Sequence, residues 1–295
     1  MTRAATRLGG HELDLTRHIA VMAIVNRTPD SFYDRGATFG LDAAVRAGEA
    51  AFAAGADIVD VGGVKFAPGP PVPVAEEIAR VEPVVRALAP FGAVSVDTFH
   101  PEVAQAVIDA GAALINDTTG LHDARMADVI AGSDAGVVIA HSLAAPRTPL
   151  PAPHYDDIVG EVARFLRERV DLARERGVPD ERIIIDPGHD LNKNTLQTLE
   201  LTRRLDELAA WPGLELPMLV ALSNKDFVGE SLGRDRDERM PGSLAAAVFC
   251  ALQGARIVRA HNVAETVDAM RMVEAILGWR EPVHLQHNMP IGAES

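Results

Sequence analysis

A chain of 295 residues with 47% apolar content suits one large α/β domain or two small ones, and at only 4% aromatic its core must be aliphatic. A formal net charge of -14 argues against non-specific binding to nucleic acid or to an anionic membrane surface. The single cysteine, Cys250, excludes an intrachain disulfide. Met1–Arg17 lacks the apolar segment of a secretory signal, and no stretch approaches the length of a membrane span, so a cytoplasmic protein is expected.

In chain order, residues 8–15 centre on Gly9-Gly10 and read as a short strand pair in an N-terminal extension, 1–19, that plugs one end of the domain. The apolar run 21–25 then stops at Asn26, in the polar turn Asn26-Arg27-Thr28-Pro29-Asp30-Ser31-Phe32. Further strand patterns fall at 57–61, 93–96, 112–115, 137–140, 182–185, 218–222 and 256–258. Helical periodicity is clearest at 43–54, 75–88, 102–110, 158–176, 195–209, 243–253 and 265–277. Several helix patterns run into a strand through glycine, at Gly55, Gly111, Gly136, Gly177 and Gly254, the residue favoured just past a helix end. Pro101 and Pro241 stand near helix starts, where a missing N–H costs nothing.

Eight strand–helix units predict an α/β fold of the (β/α)8 TIM barrel type over 20–280, with a tail at 281–295. An open doubly wound sheet is the alternative, disfavoured because no G-x-G-x-x-G follows the first strand. The Pro-rich segment 144–154 reads as a long loop over the barrel mouth.

Each strand pattern ends in a polar residue: Asn26, Asp60, Asp97, Asn116, His141, Asp186, Ser223 with Lys225, and Arg259 with His261. Any one of these could simply cap a helix or a loop, but a barrel aims all of them at one mouth. Asp97, Asn116, Asp186 and Lys225 together offer carboxylate, amide and ammonium groups, a set suited to the donor–acceptor edge of a flat, nitrogen-rich heterocycle. Asn26, Arg259 and His261 read instead as an anion or metal–phosphate corner. No Cys/His cluster points to zinc, and no Gly-x-Ser-x-Gly elbow to a serine hydrolase. His189-Asp190 is a metal-like pair that suits loop capping better.

Taken together, Val21–Phe32, Asp60-Val-Gly-Gly63, Ser95-Val-Asp-Thr98, Ile115-Asn-Asp117, Asp186-Pro-Gly188 and Gly242-Ser-Leu244 resemble the dihydropteroate synthase family over nearly the whole chain. The resemblance implies a homodimeric (β/α)8 barrel that joins p-aminobenzoate to a dihydropterin hydroxymethyl diphosphate and releases diphosphate in folate synthesis. It implies pterin binding by Asp97, Asn116, Asp186 and Lys225, and phosphate binding by Asn26, Arg259 and His261. It places Mg2+ on Asn26 and catalysis on Lys225, Asp97 and Arg259.

The departures fall on the second substrate. Where the family has Glu-Ser-Thr-Arg-Pro-Gly, this chain has Val64-Lys65-Phe66-Ala67-Pro68-Gly69; where it has Ser-Arg-Lys, this chain has Ser223-Asn224-Lys225. Arg27, Tyr33 and Arg35 also replace smaller residues, and Leu191 stands at the pterin-stacking Phe. Losing one charge-assisted contact to a developing anion costs roughly 2.7–4 kcal/mol; Lys65 or Arg27 could restore charge, though not a guanidinium fork. The expectation is therefore a pterin-binding barrel with little or no standard synthase activity. The alternatives are an active synthase, a corrinoid-linked pterin methyltransferase and a non-catalytic partner protein.

Overall fold

The structure, a computed structural model, describes residues 5–27, 40–64, 69, 71–146, 148–150 and 152–288. A short antiparallel hairpin, β1 (Ala5–Leu8) and β2 (His11–Asp14), precedes eight parallel strands. These are β3 (Ala20–Asn26), β4 (Ile58–Gly62), β5 (Ala93–Asp97), β6 (Leu114–Asp117), β7 (Gly136–Ala140), β8 (Ile183–Asp186), β9 (Leu219–Ala221) and β10 (Ile257–Ala260). They lie in the order β8-β7-β6-β5-β4-β3-β10-β9. The two edges meet through a parallel bridge between Ile185 and Met218 and one bond from the Ile185 amide to the Pro217 carbonyl at 2.9 Å. The expected (β/α)8 barrel with its N-terminal strand pair is what the chain forms.

Ten helices accompany the strands among the described residues: α1 (Leu41–Ala53), α2 (Val74–Leu88), α3 (Pro101–Asp109), α4 (Arg125–Ala131), α5 (Ile158–Glu175), α6 (Thr195–Arg203), α7 (Leu205–Ala209), α8 (Asp226–Leu232), α9 (Met240–Leu252) and α10 (Val263–Ile276). The single helix expected over 195–209 breaks at Arg204, whose backbone (φ -105, ψ 24) leaves the helical region. Helices α4 and α8 were not expected, because seven residues are too few to set up a readable period. Gly136 does not end a helix as expected; it opens β7 in ordinary extended backbone. Gly111 does sit left-handed (φ 108), and a Cβ there would crowd Ala89 at 2.9 Å.

Strand periodicity splits the apolar residues into two compartments. One face of the strands (Val21, Val59, Val94, Ile115, Ile139, Ile185, Val220, Val258) packs against the helices. The other fills the lower barrel interior with Met22, Ile58, Leu114, Val138, Ile184, Leu219 and Ile257, and Leu8 and Leu15 from the hairpin region join it. At this lower end, buried Glu274 of α10 accepts the Ile19 amide at 2.8 Å and pairs with Arg271, which itself reaches Asp57 and the Ile19 carbonyl. The last helix is thereby tied to the first barrel strand.

Candidate active site

Following each inward-facing row upward leads from apolar to polar. Ile58 is succeeded by Asp60 and Gly62, Ala93 by Ser95 and Asp97, Leu114 by Asn116, Ile184 by Asp186, and Ile257 by Arg259. Because side chains alternate with a period of two, one strand register brings all of these to the same interior. The result is a connected network. Arg259 donates Nε to Asp60 Oδ2 at 2.7 Å and Nη2 to Asp97 Oδ2 at 3.3 Å. Asn116 Nδ2 donates to the same Asp60 oxygen at 3.1 Å.

Electrostatics follow from this burial. Burial raises the Asp97 carboxyl, Arg259 opposes the rise and Asp60 reinforces it, leaving its pKa at about 7. Burial works against the charge of Arg259, but Asp60 and Asp97 overcome it and hold its pKa up. Asp186 is also raised by burial, with Lys225 pulling the other way. Its Oδ1 accepts the Gly188 amide at 2.7 Å, closing the Asp-Pro-Gly turn. Gly188 is left-handed (φ 68), and a side chain there would run into the His141 carbonyl.

Beyond β8, Lys225 gives its ammonium to the His189 carbonyl, and burial lowers its pKa against the pull of Asp190 and Asp186. Beneath it, buried Lys193 meets three acceptors: His141 Nδ1 at 2.9 Å and the Gly188 and Leu191 carbonyls at 2.8 and 3.1 Å. Burial brings Lys193 down to about 7 and keeps His141 and His189 neutral. Asp190 caps: its carboxylate takes the Phe227 amide at 3.2 Å and the Thr198 hydroxyl at 3.0 Å, the loop role expected for this residue. Asn192 (φ 53) accepts Ser142 Oγ and the Leu143 and Ala144 amides on a single side-chain oxygen, and Tyr155 bonds its carbonyl.

The anticipated anion corner is divided. Arg259 turns into the barrel, whereas His261 stays at the mouth with both its amide and Nδ1 at 3.2 Å from Ser223 Oγ. Ser223, Asn224, Lys225, Arg236 and His261 line a cavity of about 210 Å3. Asn224 is left-handed (φ 58), its amide fixed by Ser243 and its carbonyl by Arg239. Asn26 ends β3 beside Gly62, with its amide oxygen 3.2 Å from where a Gly62 side chain would begin. Lys65, Phe66, Ala67 and Pro68, and Tyr33 and Arg35 of the first loop, lie outside the described residues. A second cavity of about 330 Å3 is walled by Val64, Phe99, His100, Pro146 and Thr148.

Sequence reasoning missed Lys193, Arg236, Asn192 and the structural part played by Asp60. Asn192 and Lys193 follow directly on the Asp186–Leu191 stretch, but the partners that tie them to the loop after β7 lie 48–52 residues away.

Comparison with known proteins places this geometry. Residues 22–261 match the pterin binding enzyme family. The chain is 47% identical over 272 residues to the protein of Mycobacterium tuberculosis named inactive dihydropteroate synthase 2, covering 89% of this chain and 84% of that one. It is 42% identical over 275 residues to Escherichia coli dihydropteroate synthase, covering 92% and 96%. Among solved structures, Xanthomonas albilineans dihydropteroate synthase with 4-aminobenzoic acid superposes with a TM-score of 0.85 at 41% identity, over 94% of this chain and 99% of that one. The Yersinia pestis enzyme with a sulfonamide drug superposes with a TM-score of 0.87 at 37% identity, over 94% and 100%. A barrel with this polar interior and these relatives belongs to the pterin binding enzyme family, as a dihydropteroate synthase-like member.

Proposed function

We propose that the protein binds a pterin, or pterin diphosphate, in the barrel mouth and carries out little or no standard dihydropteroate synthesis. The observation that carries this reading is an asymmetry. The groups suited to a heterocycle edge (Asp97, Asn116, Asp186 and Lys225) converge with their polar partners in place. In the neighbouring cavity a neutral amide, Asn224, stands where a cation would be wanted. The name borne by the Mycobacterium tuberculosis relative points the same way.

In this reading Asp97 and Asp186 accept ligand N–H groups, Asn116 and Lys225 complete the edge, and the phosphate end falls to His261 at the mouth and to Arg259, which Asp60 and Asp97 hold inside the barrel. Any metal arrives with the ligand. Mg2+ keeps several waters and takes one or two protein donors plus substrate phosphates, which the single Asn26 amide oxygen fits. Among the described residues no group of three His, Cys, Asp or Glu side chains forms a standing metal site. When bound, the metal neutralises the diphosphate.

The partner expected by resemblance is a second copy of the chain. Helices α9 and α10 expose Phe249, Leu252, Met272 and Ile276, an apolar face suited to such an interface; light scattering of the purified protein tests it. No helix among the described residues is long and apolar enough to cross a membrane.

An active synthase is the second reading, and Arg236 favours it, because its guanidinium on the cavity wall could replace the one absent at Asn224. Calorimetry with dihydropterin hydroxymethyl diphosphate and Mg2+, followed by p-aminobenzoate with diphosphate release monitored, separates the two. Binding without turnover is expected; release at ordinary synthase rates would select the second reading, and absence of pterin binding would overturn both.

A further inference from the structure

We infer that Asp60 is the positioning residue that joins the two halves of the site, one carboxylate oxygen fixing both Asn116 at the pterin edge and Arg259 at the anion side. The side chain is fully buried, and its Oδ2 receives Asn116 Nδ2 at 3.1 Å and Arg259 Nε at 2.7 Å. An amide has two unlike ends. By taking the donor end of Asn116, Asp60 leaves Asn116 Oδ1 as a buried acceptor with no protein partner, directed to read a ligand N–H. The same oxygen holds the guanidinium by its Nε edge, so Nη2 swings to Asp97 rather than outward.

No other described residue bonds both groups. The Asp97 carboxylate bonds Arg259 but not the Asn116 side chain, and Ser95, the register neighbour of Asp60, has a buried hydroxyl without a protein partner. Asp60 touches no heterocycle edge itself in this account; it acts through its two partners. A ligand that draws on Asn116 and Asp97 therefore pulls on the same oxygen that restrains Arg259, and occupancy of the pterin end bears on how firmly the guanidinium is held at the phosphate end. This rests on the pterin reading above for its ligand, though not for its geometry.

The test uses the full chain and the substitution Asp60→Asn, which keeps size and removes charge. In ligand-free protein, NMR should show the Arg259 Nε–H and Asn116 side-chain amide signals leaving their native positions. Affinity for 6-hydroxymethylpterin should fall roughly ten- to a hundredfold. In an Asn116→Ala background, Asp60→Asn should cost severalfold less pterin affinity, because the partner it acts through is gone. Additive losses in that cycle, or unmoved Arg259 and Asn116 signals, would overturn the inference. If Asp60→Asn does not fold, the paired variant Asp60→Asn/Arg259→Met, which leaves no unpaired cation, carries the same cycle. Failure of the native chain to bind the pterin would sink the functional reading, while the NMR signals still decide whether Asp60 holds both groups.

Discussion

Asp97 is where residue chemistry makes its sharpest demand. A carboxyl with a pKa near 7 must be ionised to accept two ligand N–H groups, so pterin affinity should decline as pH falls through about 7. Titration calorimetry between pH 5.5 and 8.5 checks this, and a flat profile would count against Asp97 as an acceptor. Stability runs the other way. The folded pKa lies above the usual carboxylate value, so the folded state holds its proton more tightly, and stability drains away as pH rises from about 4 to about 7. Asp97→Asn removes that penalty: it should abolish pterin binding yet gain in melting temperature over the native chain, with the gap widening from pH 5 to pH 8. The polar ends of the strands were legible because a period of two puts every second residue inward whatever the barrel's tilt. The tether of Arg259 was not. Its partner Asp60 is 199 residues away, and nothing local distinguishes an arginine facing a ligand from one neutralising a carboxylate.

At the level of elements, Asn192 ties the loop after β7 to the loop after β8. Asn192→Gly keeps the left-handed backbone while removing the bracket. It should speed hydrogen exchange at the Leu143 and Ala144 amides at least tenfold with little change at the Gly188 amide, which Asp186 holds separately. Equal exchange at Leu143 in both proteins would show that the bracket does not hold the loop. Long helices announced themselves through their period and their glycine exits. The short α4 and α8 did not, since seven residues set up no readable period even though each runs into a glycine, Gly132 or Gly233, and neither did the break at Arg204. The loops read as departures from the family pattern carry no period at all, which is why the second-substrate side was readable only as a set of departures.

For the molecule as a whole, two junctions rest on few bonds. Glu274 joins the last helix to the start of the first barrel strand, and Glu274→Ala leaves the buried Ile19 amide without its partner while Arg271 keeps Asp57, a loss of about 1–3 kcal/mol. Denaturant unfolding should report that loss while pterin affinity, at the far end of the barrel, stays unchanged.

The second junction is the seam between β8 and β9, held by one bridge and the Pro217 carbonyl. Asp186 ends β8 on one side, and Ser223 and Lys225 follow β9 on the other. A heterocycle gripped by Asp186 and Lys225 is then a rivet across the least-stitched joint of the barrel. Its stabilising effect should concentrate in slowed exchange at Ile185 and Leu219, and a barrel emptied of pterin should open along that line before any other.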